Sequence, residues 1–423
     1  MPPEERVKAA KAVFGAKLDR RKAAYLESCV HCGMCAEACH FYVGTEDPKY
    51  TPIRKLDLLK RFYRRELAPM RWFHRVFEPD ITADELAAWQ ELVYDSCTEC
   101  GRCGVMCPMG IDIAGMVNVM RQGLAKAGLI PSDLRAVEQE QCAAGTVFGT
   151  GPEQLRQAVE ALRQQGLEVP LDKERADVMV LTSVVDIMLF HDALAGTVRI
   201  LNHLGVNWTL RSQAFEGANF GLLSGYEDLQ EAASKRIVKE ALSCRAKVVL
   251  VPECGHAYPA LRWEGADEYG KPLPFEVYAI SEYIGREIKA GRLKLNKVGK
   301  DIKYTYHDPC KLTRHGGILQ EPRAVFEALG ADFEETPSHG NLNWCCGGGA
   351  GVFVINPASE LRQRAFEIKM AEVDATGADA VVMSCGSCRL NFMRGKDNAH
   401  WGKDIKSLVA LASENLADLP KPG

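Results

Sequence analysis

The 423-residue chain has no apolar run long enough to cross a bilayer. Its longest mostly apolar stretch, Val178 to Phe190, is broken by Thr182, Ser183 and Asp186. The start, Met1 to Lys8, carries acidic residues and no apolar h-region, so no Sec-type signal is visible. There is little net charge, −4, and hence no case for nucleic acid as a partner. No Gly-x-Gly-x-x-Gly follows an expected strand. The glycines at 347–349 and 351 do not fit that spacing, so flavin or nicotinamide binding has no support. A disulfide framework is also lacking: thirteen of the sixteen cysteines fall in three metal-type sets, leaving Cys142, Cys244 and Cys254. That usage fits a reducing compartment and a cytoplasmic location, with room for attachment to a membrane partner.

Two sets share one spacing. Cys29, Cys32, Cys35 and Cys39 follow C-x2-C-x2-C-x3-C, and Cys97, Cys100, Cys103 and Cys107 repeat it, with Pro108 after the last. This spacing holds paired [4Fe-4S] cubanes in which the fourth cysteine of each run ligates the other cluster. The expected ligands are therefore Cys29, Cys32, Cys35 and Cys107 for cluster one, and Cys97, Cys100, Cys103 and Cys39 for cluster two. Cys-x2-Cys pairs also build tetrahedral zinc sites, but two full four-cysteine runs favour iron–sulfur. The first run ends in His40 rather than proline, read here as a changed turn and not a changed ligand.

The third set lies near the C-terminus: Cys310 in His-Asp-Pro-Cys-Lys, the pair Cys345-Cys346 before three glycines, and Cys385-Gly386-Ser387-Cys388. Adjacent thiols followed by glycines fill a core poorly. They suit two sulfurs reaching one inorganic body while the backbone comes close to it. Five sulfurs exceed the four that a cubane takes. A buried thiol pair without metal is the plain alternative.

Hydrophobic periodicity gives the organisation. Between Cys39 and Cys97 lie 57 residues that read as helices, Arg54 to Leu67 and Ala83 to Tyr94, and Met116 to Ala127 continues in kind. From 173 onward strands and helices alternate twice. The first pass is Asp177–Ser183, His191–Leu204, Trp208–Leu210, Asp228–Leu242 and Lys247–Val251. The second is Lys303–Tyr306, Pro322–Leu329, Asp332–Thr336, Pro357–Thr376 and Ala380–Met383. Alternation implies parallel sheets covered by helices, with sites at strand ends. The expected architecture is a multi-domain chain: an N-terminal α-helical ferredoxin domain (1–125), a linker (126–172), and two pseudo-repeated α/β domains (173–295 and 296–423). In the repeat Ser183 falls on Cys310, Asn219-Phe220-Gly221 on Cys345-Cys346-Gly347, and Cys254 on Cys385. The spacings are 71 residues from Ser183 to Cys254 and 75 from Cys310 to Cys385. One of five ligand positions survives in the first half.

Two cubane motifs followed by two such halves, the cysteines complete only in the second, resemble the D-type subunit of heterodisulfide reductase and its relatives. Among these are the DsrK-type and TmcB-type subunits of membrane redox complexes. The resemblance runs from about Cys29 to Cys388 and implies CCG-type domains for the α/β halves. It implies a non-cubane [4Fe-4S] cluster held by Cys310, Cys345, Cys346, Cys385 and Cys388, where a disulfide is reduced or a dithiol oxidised. It further implies a cytochrome b-type membrane subunit or another redox subunit as partner, and a sulfur-carrier protein or a small heterodisulfide or thiol as substrate. A disulfide couple takes two electrons, whereas each cubane passes one at a time. Two cubanes feeding an odd third cluster are thus the expected relay.

Beside the third set sit His307, Lys311, Arg314 and His315, cations that favour a thiolate. His256 follows Cys254-Gly255 in the first half. The expected catalytic helpers are His256, His307 and Cys254, while Cys142 and Cys244 read as ordinary buried thiols. Arg54 to Arg75 holds eight Lys/Arg against two acidic residues with Phe62, Tyr63, Trp72 and Phe73 interleaved, a stretch suited to docking on a partner or anionic lipid. A rival role in the same superfamily is the conducting iron–sulfur subunit of a flavin-linked dehydrogenase, of the glycolate oxidase or glycerol-3-phosphate dehydrogenase type.

Overall fold

The structure, a computed structural model, describes residues 1–417. Residues 418–423, the end of the expected 296–423 domain, lie outside it. The chain divides into two units. The first comprises Met1–Glu138, Phe220–Asp228 and Trp344–Lys369, and the second comprises Gln139–Asn219, Leu229–Asn343 and the residues from Met370 onward.

The first unit is helical. Its opening helix, Pro3–Lys17, carries Pro3 in its first turn with Glu4 and Glu5 beside it, and ends in Lys17, all favourable to the helix dipole. Phe14 on this helix is fully buried beneath Gly123 of the helix Ile113–Lys126, where a β-carbon would collide with the Phe14 ring. Asp112 caps that second helix by accepting from the Gly115 N–H at 2.9 Å. The insert between the cysteine runs folds as a 3-10 turn Arg54–Leu56 leading into the helix Asp57–Glu66. Its second helix, Ala83–Gln90, runs on into a π turn at Glu91–Asp95.

The second unit holds two four-stranded sheets, every pairing parallel. Their strands are β1 Val178–Val180, β2 Trp208–Leu210, β3 Val248–Val251 and β4 Glu276–Ala279, then β5 Lys303–His307, β6 Asp332–Phe333, β7 Ala380–Met383 and β8 Asp404–Ser407. The orders are β2-β1-β3-β4 and β6-β5-β7-β8, one topology used twice. The apolar strands Val178–Val180 and Ala380–Met383 are buried throughout, as strands covered on both faces must be. Helix packing joins the sheets reciprocally. His191–His203, after β1, packs on Leu408–Glu414, after β8, while Ile280–Lys289, after β4, packs on Gln320–Leu329, after β5. Both seams need a residue without a side chain: a β-carbon on Gly285 would lie 2.6 Å from the Glu321 backbone, and one on Gly196 would lie 3.0 Å from the Val409 carbonyl oxygen.

Most expected elements are present with shifted ends, such as Glu227–Ser243 for 228–242 and Ile113–Lys126 for 116–127. Three differences stand out. The stretch expected as a linker, 126–172, contains two thirteen-residue helices, Ser132–Ala144 and Pro152–Gln164. Strands β4 and β8 add to the expected set; β8, Asp-Ile-Lys-Ser, is a half-exposed edge strand with no apolar run to reveal it. The strand expected at 332–336 spans only Asp332–Phe333.

Just beyond β1, Ser183 and Asp186 form a capping box. Asp186 Oδ2 accepts from the Ser183 N–H at 3.2 Å, and Oδ1 is buried with no hydrogen-bond partner among the described residues. Burial pushes this carboxyl up to about 7, against the Ser183 bonds and Arg389, with Asp192 adding to the rise. The folded protein then keeps a proton that the unfolded chain releases near pH 4, so the group's contribution to stability falls as pH rises from about 4 through 7. Asp186→Asn keeps the Oδ2 contact and removes the titration. It is expected to match wild type in urea unfolding at pH 4 and to exceed it at pH 8 by on the order of 2–4 kcal/mol. Parallel pH profiles for the two proteins would refute this.

Candidate iron–sulfur centres

The two N-terminal cysteine runs have the same backbone. In the first, His31 and Gly33 flank Cys32 with φ of 53° and 83°. In the second, Glu99 and Gly101 flank Cys100 with φ of 49° and 78°. A left-handed residue on each side of the second cysteine curls the loop so that successive groups face inward, and a single-turn helix follows in each case: Met34–Glu37 and Arg102–Val105. Non-glycine residues seldom adopt positive φ, and the repetition at matching positions marks a shared wrapping loop.

These loops build two cavities in the first unit. Cys29, Cys32, Cys35 and Cys107 line one, whose other walls include Val30, His31, Ile53, Met109 and Ile111. Cys39, Cys97, Cys100 and Cys103 line the other, with His40, Phe41, Lys55, Ile113 and Val117. Each cavity thus takes three thiols from one run and the fourth from the other. Burial raises the Cys103 thiol well above its usual range, and the neighbouring Cys100, Cys97 and Cys39 raise it further. Cys35 is raised by burial and by Cys29, Cys107 and Cys32. Four sulfurs that oppose one another's ionisation in an apolar pocket are the donor set that a positively charged body satisfies, and both sites fit a [4Fe-4S] cluster on that ground.

A buried cation braces the second cavity. Arg121 on Ile113–Lys126 is fully buried and donates to five carbonyl oxygens. They belong to Val93 at 2.9 Å, Tyr94 at 3.4 Å, Cys97 at 2.7 Å, Leu223 at 2.7 Å and Ala350 at 2.6 Å. Glu99 lies 3.6 Å away as its counter-charge. The segment bearing Cys345 and Cys346 belongs to this same unit. The Cys345 thiol donates to Thr98 Oγ1 at 3.4 Å, and the Arg102 guanidinium lies over the Trp344 ring, 3.5 Å from its centroid. Thr98 and Arg102 are both inside the Cys97–Cys103 loop. The neighbouring Trp344 and Cys345 therefore rest on the wall of the second cavity.

The remaining cysteines of the third set belong to the second unit. Cys310 opens the short helix after β5, Cys385 is the cap residue after β7, and Cys388 lies one turn into Gly386–Ala399. In the order β6-β5-β7-β8 the chain leaves β5 and β7 in opposite directions, and the crevice between such strand ends is where open α/β sheets bind ligands. Cys254 follows β3 and touches the same place, since the Gly255 N–H points to Cys385 Sγ at 3.4 Å. A β-carbon on Gly255 would meet Cys385 Sγ at 3.3 Å and Lys311 Cβ at 3.5 Å. The Glu253 carbonyl accepts from Gly386 N at 2.6 Å and its carboxylate accepts from Val409 N at 3.1 Å. Burial pushes that carboxyl up to about 8. Burial also raises Cys254, with Cys385 adding to it.

His256 is buried next to this contact, and His307, the last residue of β5, is fully buried with its ring 5.0 Å from Phe392. Asp308, to which the sequence assigns no role, is fully buried and gripped by both arms of Arg323 at 2.6 and 2.8 Å; it also accepts from Gly340 N at 2.7 Å. An Asp beside a Pro-Cys turn gives no signal, because its partners lie 15 and 32 residues away. Cys244 is buried as expected; Cys142 is exposed, because it lies on an outer face of Ser132–Ala144.

The crossed cavities make a sharp expectation. Cys107→Ala should cost the centre otherwise held by Cys29, Cys32 and Cys35, and Cys39→Ala the centre held by Cys97, Cys100 and Cys103. Each variant retains about four fewer irons than wild type. Paramagnetic resonance of single and paired variants reads this. Loss following the run in which the cysteine sits, and not the opposite run, would overturn the assignment.

Comparison with known proteins finds two cysteine-bearing domains in the chain. A model of the 4Fe-4S dicluster domain matches residues 28–112, and a model of the cysteine-rich domain called CCG matches residues 304–393. The Hdr-like menaquinol oxidoreductase iron-sulfur subunit 2 of Archaeoglobus fulgidus is 28% identical over 402 residues, covering 82% of this chain and 71% of that protein. The D-type subunit of the dihydromethanophenazine:CoB–CoM heterodisulfide reductase of Methanosarcina acetivorans is 26% identical over 408 residues, covering 92% of this chain and 94% of its own. In fold, the chain is similar to a hypothetical protein from Helicobacter pylori (TM-score 0.52, 10% identity, 86% of this chain and 72% of the other). The chain combines a 4Fe-4S dicluster domain with a CCG cysteine-rich domain and is a homologue of the D-type subunits of heterodisulfide reductase and of Hdr-like iron–sulfur subunits.

Proposed function

We propose that this protein is the subunit of an Hdr-like complex at which a disulfide is reduced, or a dithiol oxidised, through three iron–sulfur centres. Two are the cubanes held by the eight N-terminal cysteines. The third is a non-cubane [4Fe-4S] cluster held by Cys310, Cys345, Cys346, Cys385 and Cys388, all five within the stretch that matches the CCG model. The observation that carries the reading is the 3.4 Å contact of Cys345 with Thr98, which sets a cysteine of the third group against the loop of the second cubane cavity. Clusters held in the two cavities would carry electrons toward the Cys345–Cys346 turn. The non-cubane cluster supplies an iron that can hold a substrate sulfur while electrons arrive singly. The repeated sheet order supports an α/β unit used twice with its cluster built once, Ser183 standing where the second half has Cys310.

The chain's own residues supply the rest. Cleaving a disulfide consumes two electrons and two protons and yields two thiols. His256 and His307 are assigned as proton donors and Cys254 as a thiol in contact with the substrate, with Lys311 favouring thiolate at the adjacent Cys310.

The test is anaerobic reconstitution. About twelve irons per chain, turnover of a disulfide with reduced viologen, and a thiol-dependent resonance of the oxidised protein that disappears in Cys346→Ser are expected. His256→Ala should lower turnover severalfold with iron content unchanged. About eight irons and no thiol-dependent signal would leave an electron-conducting role only.

For the partner we assign the helix Arg71–Phe77. Met70, Trp72, Val76 and Phe77 are 55–73% exposed there. Four basic residues around it are paired with carboxylates, Arg61 with Glu85, Arg64 with Glu78, Arg65 with Asp80 and Arg75 with Glu66, while Arg71 donates to the Glu66 carbonyl and Lys60 meets His31. With most of the charge engaged, the exposed apolar side chains dominate this face, and that suits a membrane-embedded redox subunit better than anionic lipid. No helix among the described residues is long and apolar enough to cross a membrane. Wild type should sediment with native membranes, and Trp72→Ser/Phe77→Ser should move to the supernatant. Equal partitioning would dismiss this face.

A further inference from the structure

The two cubane cavities differ at one matching position. After its fourth cysteine the second run has Pro108, which lines the first cavity; the first run has His40, which lines the second. His40 is 2% exposed, and both of its ring nitrogens are buried with no hydrogen-bond partner among the described residues. In either neutral tautomer one of those nitrogens carries a hydrogen, and a buried donor left without an acceptor is unfavourable. Its Phe41 neighbour, 4.2 Å away between ring centroids, offers no acceptor atom. The nearest acceptors that the cavity would contain are the sulfurs of the group it is built to hold.

We infer that His40 donates its ring N–H to the cluster bound by Cys39, Cys97, Cys100 and Cys103 and raises that cluster's reduction potential above that of the other. This rests on the cluster assignment above and goes beyond it by ordering the two cubanes in energy. A donor aimed at cluster or thiolate sulfur stabilises the more negative, reduced state. Lys55 acts in the same sense. It is 2% exposed, lines the same cavity, donates to the Ser96 carbonyl oxygen and lies 5.6 Å over the Phe41 ring. The first cavity has Val30, Ile53, Met109, Ile111 and Pro108 among its walls, and its one histidine, His31, is solvent-exposed with its Nε2 3.0 Å from Lys60 Nζ, where water and a neighbour satisfy the ring. One electron accepted by either cluster needs no proton on His40, whose N–H stays in place. The result is a downhill step from the Cys29-containing site to the Cys97-containing one, toward Cys345.

The experiment is a redox titration of the reconstituted full chain at fixed pH, followed by paramagnetic resonance, with iron and sulfide measured on every sample. In wild type the cluster assigned to the second cavity by the Cys39→Ala variant is expected to reduce first. His40→Phe, and His40→Pro as its equivalent in the other run, should lower that potential until the reduced-to-oxidised ratio at a fixed poise falls about tenfold, or about 59 mV for a one-electron couple. The other cluster should not move. His40→Asn, which restores an N–H, should recover part of the shift and guards against a variant that fails to fold. Unchanged potentials with full iron content would overturn the inference while leaving the cluster assignment standing. Loss of the second cluster in His40→Phe but its retention in Cys39→Ala would also overturn it, making His40 a ligand. Absence of iron from the wild-type site would fail the assignment itself.

Discussion

The helical unit depends on one guanidinium. Arg121 is buried without solvent, and its five N–H bonds reach carbonyls of three chain segments far apart in sequence: 93–97, 223 and 350. A lysine could not serve, because only a planar fork presents enough donors in fixed directions. Breaking such a buried cluster of charge-assisted bonds costs about 3–5 kcal/mol, since the carbonyls would be left dry and unpaired. The partners are not arbitrary. One carbonyl belongs to Cys97, the first thiol of the second cavity, and another to Ala350, four residues past Cys346. The same side chain that closes the ferredoxin-like core therefore also fixes the reach of the Trp344–Cys345 corner.

Around that brace the cysteine loops follow one plan with different linings. Both use paired left-handed residues to turn three sulfurs inward, and both borrow a fourth. They differ in what completes the wall: apolar side chains, a proline and an exposed histidine in one, a buried histidine and a buried lysine in the other. The α/β unit repeats this habit of reusing a frame. Both of its sheets have one strand order; beyond β1 the first sheet has Ser183 and a buried carboxyl, and beyond β5 the second has Cys310.

Legibility in the sequence tracks how local the cause is. The strand Ala380–Met383 and the helix His191–His203 are readable because a continuous apolar run and a 3.6-residue period are written into adjacent residues. Strand β8 is not, since two of its four residues are charged and its place depends on pairing with β7. The two helices within 126–172 are obscured by Gly145 and Gly149 in the turn between them and by Gly151 and Pro152, which cap and open the second helix. The thiols themselves stand out by spacing alone. The contact of Cys345 with Thr98 joins residues 247 apart and has no trace in any window of sequence, and the same holds for the grip of Arg323 on Asp308. His40 is legible as a departure from proline, but its unpartnered burial is not.

The borrowing of fourth cysteines has a consequence for how the protein is made. A nascent chain that has reached Cys39 holds four thiols in one run, yet three of them belong to one cavity and the last to another. Neither pocket can close until residue 107 has left the ribosome and the helix Ile113–Lys126 has brought Arg121 to the Cys97 carbonyl. Under the proposed assignment, metal loading then follows folding of this helical unit and does not nucleate it.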